Sequence, residues 1–224
     1  MKLYDLLEGM ALEPRHKCFI SYHHENDQYY KNYLSDWAKE NNVFIDDSVE
    51  TGDISDSLRD DEIREIIRDE YLRNTTVTIL LVGTDTKYRK HVDWELYSSM
   101  YDGKVNKKSG IVVILLPTAK SEYCRAAHEG EKAEIFSKIT NWTSDLSKAE
   151  YEKRFPYLPE RIIDNLNSNS KISIVNWDDL FEYDSYTRTY DLSVKKVKYM
   201  IEMAHKDRAS CKYDFSKPMR RKNG

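Results

Sequence analysis

Five short apolar runs, each followed by a longer stretch of different period, constrain this chain more than any other feature. They occupy residues 16–22, 43–45, 76–82, 111–116 and 172–177. They are rich in β-branched and aromatic residues, and Gly83 and Pro117 close the third and fourth. Runs of this length and composition read as interior strands. The stretches between them change to a helical spacing. Residues 28–40 put Tyr30, Tyr33, Leu34, Trp37 and Ala38 on one face, and residues 53–74 do the same with Leu58, Ile63, Ile66, Ile67 and Tyr71. A further helix pattern begins near Val92 and ends near Gly103. Ser193 caps a last one, with Val194, Val197, Ile201 and Ala204 facing inward. Strands alternating with helices imply a parallel sheet covered on both faces. Right-handed crossovers then favour a flavodoxin-like, doubly wound, five-stranded parallel sheet.

The rhythm breaks at residues 118–171, which are polar and carry Pro156 and Pro159. They read as an insertion packed on one domain spanning residues 16–208. Residues 1–15 form an arm closed by Pro14, and residues 209–224 a basic tail in which Lys217, Arg220, Arg221 and Lys222 are expected to be solvated. Residues 179–192 read as loop. The first helix is expected to be capped by Asn26 or Asp27.

Bulk properties exclude several classes. A formal net charge of −4 over 224 residues gives no general affinity for nucleic acid. Cys18, Cys124 and Cys211 are far apart, without a paired spacing for a disulfide framework or a zinc module, and Cys18 should be buried in its strand. No run reaches the length of a membrane span, the first residues do not read as a signal peptide, and a cytoplasmic protein is expected. With only seven glycines and no phosphate-binding glycine motif, a Gly-rich nucleotide cradle is not expected.

The chemistry collects after the third run. Gly83 stops the strand, a polar loop follows, and Glu95 falls early in the next helix, with Val92, Ser98 and Ser99 as helix neighbours. The positive end of the helix is expected to keep Glu95 ionised and close to the surface. A carboxylate there suits a substrate that develops positive charge; an ordinary helix-start acid is the alternative. His91 and Glu95 stand four residues apart, as two metal ligands on a helix do, but no third ligand has matching spacing, so no metal centre is expected.

Two motifs carry a resemblance. Phe19-Ile20-Ser21-Tyr22-His23 resembles the first-strand signature of Toll/interleukin-1 receptor (TIR) domains. Gly83-Thr84-Asp85-Thr86, followed by Arg89-Lys90-His91-Val92-Asp93-Trp94-Glu95, resembles the bacterial TIR-like subgroup of the Thoeris anti-phage defence system. The likeness covers residues 16–117 well and 172–205 loosely. It implies an enzyme that cleaves NAD, as substrate and not as bound cofactor, at the nicotinamide–ribose bond, with Glu95 as the catalytic carboxylate. It also implies a cyclic or conjugated ADP-ribose signal passed to a separate effector, and a pocket often completed by a second TIR-like chain. The alternatives are a non-catalytic TIR-like interaction module and, less fitting with His23 and His24 where a receiver needs acids, a receiver-type protein.

The same edge of the sheet supplies further candidates for substrate contact. Tyr22 and His23 could stack on a ring, Asp46 could meet a ribose, Arg89 with Lys90 could hold a pyrophosphate, and Ser99 lies one turn beyond Glu95. Core packing for Tyr22, and solvated loop positions for His23, Arg89 and Lys90, are the competing readings.

Overall fold

The computed structural model describes residues 15–48, 54–55, 57–103, 105–185 and 188–223. The expected arm up to Pro14 and Asp53, the expected start of the second helix, lie outside the described residues. Residues 54–55 and 57–59 are described and not helical, so that helix starts later than expected, at Asp60, with Ile63 as its buried apolar anchor.

A strand forms at each of the five runs read from the sequence: β1 Lys17–Ser21, β2 Ile45–Asp46 (shifted from the expected 43–45), β3 Val77–Val82, β4 Gly110–Leu115 and, later in the chain, β7 Ser173–Asn176. They run parallel in the order β2-β1-β3-β4-β7, in register from Ser21 opposite Leu80 to Leu115 opposite Asn176. β3 and β4 are buried at every position, as expected of strands covered on both faces. Between them run α1 His24–Glu40, α2 Asp60–Ile66 with a π-helical continuation through Tyr71, and α3 Lys90–Met100.

The sheet is wider than five strands. β5 Cys124–Arg125 and β6 Trp142–Thr143 come from the insertion and extend the edge beyond β7, making seven. β5 pairs with β7 antiparallel, so the sheet is mixed at that edge. Two-residue strands inside polar sequence leave no alternating pattern to read. Residues expected as loop form a hairpin, β8 Phe181–Asp184 with β9 Thr189–Leu192. The insertion also contributes α4 Lys148–Arg154 and α5 Glu160–Asn165, and α6 Val194–Asp207 closes the fold on the Ser193 cap, whose hydroxyl accepts from the Lys196 N–H.

Two cores sandwich the sheet. On one face Leu34, Trp37 and Ala38 of α1 and Val197, Ile201 and Ala204 of α6 cover Ile20, Ile79, Val112 and Ile114. On the other, Val92, Leu96 and Met100 of α3 meet Leu80, Val113 and Leu115, joined by Tyr151, Phe155, Ile162 and Ile163 from the insertion. Gly110 lets α6 lie against the sheet, because a Cβ there would collide with the backbone carbonyl of Ala204. All three cysteines are buried and free. No helix among the described residues is long and apolar enough to cross a membrane.

The basic side chains of Lys217, Arg221 and Lys222 are exposed, as expected, but the backbone of this C-terminal segment is held against the fold. Arg161 of α5 forks onto Asp93 of α3, Nε to Oδ1 at 2.9 Å and Nη2 to Oδ2 at 3.0 Å, and also donates to the carbonyls of Lys217 and Pro218. The Arg220 N–H donates to Asp93 at 2.8 Å, Trp94 donates to the Arg220 carbonyl at 2.6 Å, and Arg221 pairs with Asp60. The segment is thus strapped across α3 by backbone groups and buried ions, which its basic composition does not reveal.

Candidate functional site

β1 and β3 are neighbours, yet the chain leaves β1 toward β2 on one side and continues from β3 to β4 on the other. This is the switch point at which open α/β sheets leave a crevice. A second local event opens it further. β2 ends at Asp46, because the Asp46 carboxylate accepts from the Ser48 N–H at 3.0 Å and turns the chain off the sheet. The Ser48 hydroxyl, and not a backbone carbonyl, takes the Ile20 N–H at 2.8 Å. Among the described residues, the second half of β1 therefore has no strand along that edge.

The space beside it is a cleft of about 170 Å³. β1 and the residue after it supply Phe19, Ile20 and Tyr22; α1 supplies His24, Gln28, Lys31 and Asn32; Ser48 and Glu95 close it. Glu95 enters from α3 and is 2% exposed. It accepts a hydrogen bond from the Ser21 hydroxyl at 2.6 Å, and among the described residues it has no cationic partner. Burial pushes its carboxyl up to about 8, with the Ser21 hydrogen bond pulling the other way.

This corrects the expectation of an ionised acid near the surface. Glu95 is the sixth residue of α3, beyond the turn where the helix dipole acts, and the acid in the first turn is Asp93. Desolvation then sets its proton affinity.

The other candidates separate. Tyr22 lines the cleft; its hydroxyl donates to Gln28 at 2.7 Å and its ring stacks on His24 at 4.4 Å. His23 is buried and is the actual cap of α1: its Nδ1 accepts from the Asn26 N–H at 3.3 Å. The helix accordingly starts at His24 and not beyond Asn26 or Asp27. Asp27 is instead buried against Gly83, whose N–H donates to Thr86 Oγ1 at 2.9 Å. Asp46 stands behind the cleft wall. It holds Lys31 at 2.9 Å and accepts from Ser35 and Ser48; burial pushes its carboxyl up, but these hydrogen bonds together hold it below the usual range. Arg89 occupies the N-cap position of α3 without a side-chain capping hydrogen bond, and Ser99 is tied to Thr78 at 2.8 Å beneath the sheet; neither lines the cleft.

Sequence reading missed Gln28, Lys31 and Asn32. They form a polar stripe at spacing three and four on α1, opposite its apolar face, and such a stripe is normally solvated. Only knowing that β2 is cut short turns that stripe toward a cleft.

Residues 19–121 match the family described as Thoeris protein ThsB, TIR-like domain. This stretch is a ThsB-type TIR-like domain. The match spans β1 to the turn after β4 and so contains Ser21, Ser48 and Glu95, which makes this part of the chain a defence-related TIR module. The insertion, β7 and α6 lie outside the matched residues. No curated protein and no solved structure matches the chain.

Proposed function

We propose that this ThsB-type module consumes NAD, breaking the bond between nicotinamide and ribose and passing on a cyclic or conjugated ADP-ribose signal. The observation that carries the reading is Glu95: a carboxyl at the switch point of the sheet, facing a cleft, hydrogen-bonded by Ser21 and with no cation beside it among the described residues. A buried acid held in this way is available to an incoming positive charge, which a structural ion pair would already have claimed.

The step itself is simple. The C–N glycosidic bond breaks, its electron pair leaves with nicotinamide and neutralises the pyridinium, and the ribose carbon becomes oxocarbenium-like. Nicotinamide needs no protonation to leave, so one carboxylate is enough. Glu95 offsets the ribose charge and orients its hydroxyls, and Ser21 fixes the carboxyl rotamer. Placement of this kind contributes on the order of 10²–10³ in rate. Water, a hydroxyl or an amine then adds to the ribose carbon, and the nucleophile determines whether the product is open, cyclic or conjugated.

The raised proton affinity fits this sequence. The pyridinium of the substrate favours the ionised carboxyl, so binding drives the proton off Glu95 where it is needed. A cleft of about 170 Å³ is smaller than whole-ligand pockets of roughly 300–1,000 Å³ and suits the nicotinamide-ribose end alone. Tyr22 and His24 provide ring surface beside it, and Lys31, steadied by Asp46, provides positive charge for phosphate. The remainder of the dinucleotide lies against a second TIR-like chain. The reading places the protein in the cytoplasm, with a separate effector receiving the signal.

The test is to incubate the purified chain with NAD, alone and under crowding, and to identify products by mass spectrometry. Nicotinamide plus an ADP-ribose isomer or conjugate supports the reading. Equal silence from wild type and Glu95→Gln under every condition supports a non-catalytic interaction module instead.

A further inference from the structure

The opposite end of β1 carries a second constellation. His16 directly precedes the strand, and Glu202 and His205 lie three residues apart on α6, on one face of the helix. His16 Nε2 is 2.8 Å from Glu202 Oε2. The His16 and His205 rings are 3.9 Å apart and tilted by 30°. One donor atom from each of the three residues lies within 4.8 Å of the others. The His16 and Glu202 side chains keep 19% and 26% of their exposure, so the cluster has a path to solvent.

We infer that His16, Glu202 and His205 form a binding site for a zinc-class divalent ion that clasps the start of β1 to α6. Two imidazoles and one carboxylate are a donor set that zinc accepts, with a fourth position left for water. Donors about 2.0–2.2 Å from a tetrahedral ion stand roughly 3.2–3.6 Å apart. The 2.8 Å contact must open slightly, and the widest separation, within 4.8 Å, must close by up to roughly 1.2–1.6 Å, which rotation of the side chains supplies. The proton between His16 and Glu202 moves to the other ring nitrogen or to solvent, and no redox change is involved. Five strand residues, about 16 Å at 3.3 Å each, separate this end of β1 from Ser21. The ion is therefore a structural clasp, independent of the Glu95 cleft.

Sequence spacing cannot find this site, because its ligands come from opposite ends of the chain, and only the packing of α6 beside β1 brings them together. The test uses the full chain after chelator treatment, titrated with ZnCl₂ by calorimetry and with Co²⁺ by absorption spectroscopy. Saturable binding of one ion per chain is expected, with a tetrahedral Co²⁺ spectrum lacking a thiolate band and a rise in melting temperature with Zn²⁺. His16→Ala and His205→Ala should each weaken Zn²⁺ binding by about tenfold or more. Glu202→Gln, which keeps the size of the side chain, should weaken it in the same direction. Absence of saturable binding by the wild type, a thiolate band, or affinity unchanged in the three variants would overturn the assignment.

Discussion

The Ser21 hydroxyl donates to Glu95 across 2.6 Å, joining the end of the first strand to the helix that follows the third. Both side chains are buried, and the carboxyl that this contact holds, its proton affinity raised to about 8, lines the cleft. The expected behaviour of Glu95 follows from burial, not from its place on a helix.

Replacing Glu95 by Gln should change stability in a pH-dependent way. The folded carboxyl holds its proton to about pH 8 and the unfolded one only to about 4.5, so between these values the folded state binds more protons. Wild-type stability therefore falls as pH rises through that window, and the cost is fully present above pH 8. Gln keeps an acceptor for Ser21 and cannot ionise. Thermal melts should show variant and wild type close together at about pH 5, and the variant ahead by on the order of a few kcal/mol at about pH 9. A variant destabilised equally at both ends would mean that the carboxyl has a structural partner.

Ser21→Ala removes the one side-chain donor that favours ionised Glu95. It should cost about 0.5–1.5 kcal/mol in chemical denaturation and shift the pH dependence of turnover toward alkaline values. Lost stability without that shift would make Ser21 a packing residue only.

The Arg161–Asp93 fork ties α5, α3 and the C-terminal segment together in a nearly dry setting. Removing one partner strands the other charge, so Arg161→Ala should destabilise by about 3–5 kcal/mol. Arg161→Lys should recover only part of that, because a single ammonium cannot span both carboxylate oxygens and the two carbonyls. Urea denaturation of the three proteins measures the order.

Gly110→Ala tests the close approach of α6. The added methyl meets the rigid Ala204 backbone, so the strand or the helix must shift, and a loss of about 1–3 kcal/mol is expected. A neutral result would show that the helix rides freely on the sheet.

The parallel order and its two cores were legible because β3 and β4 are uniform β-branched runs, and because the periodic faces of α1 and α6 name their buried side chains. β5, β6 and the β8–β9 hairpin were not, since two- and four-residue strands in polar sequence are fixed by tertiary pairing. The position of Glu95 was legible, but its burial was not: nothing local to α3 reports that its side chain packs against Ser21 at the end of β1. His23 and Asp46 were read as candidate substrate contacts at the strand ends; in the structure neither lines the cleft, and they cap a helix and end a strand early behind it.

The most direct test of the account is the rate of nicotinamide release from NAD measured from about pH 6 to about pH 9, for wild type and Glu95→Gln side by side. The account predicts a wild-type kcat/KM that rises with pH through a midpoint near 8, and a Gln variant slower on the order of 10²–10³ with no such rise. A Gln variant with wild-type rate and the same profile would contradict it.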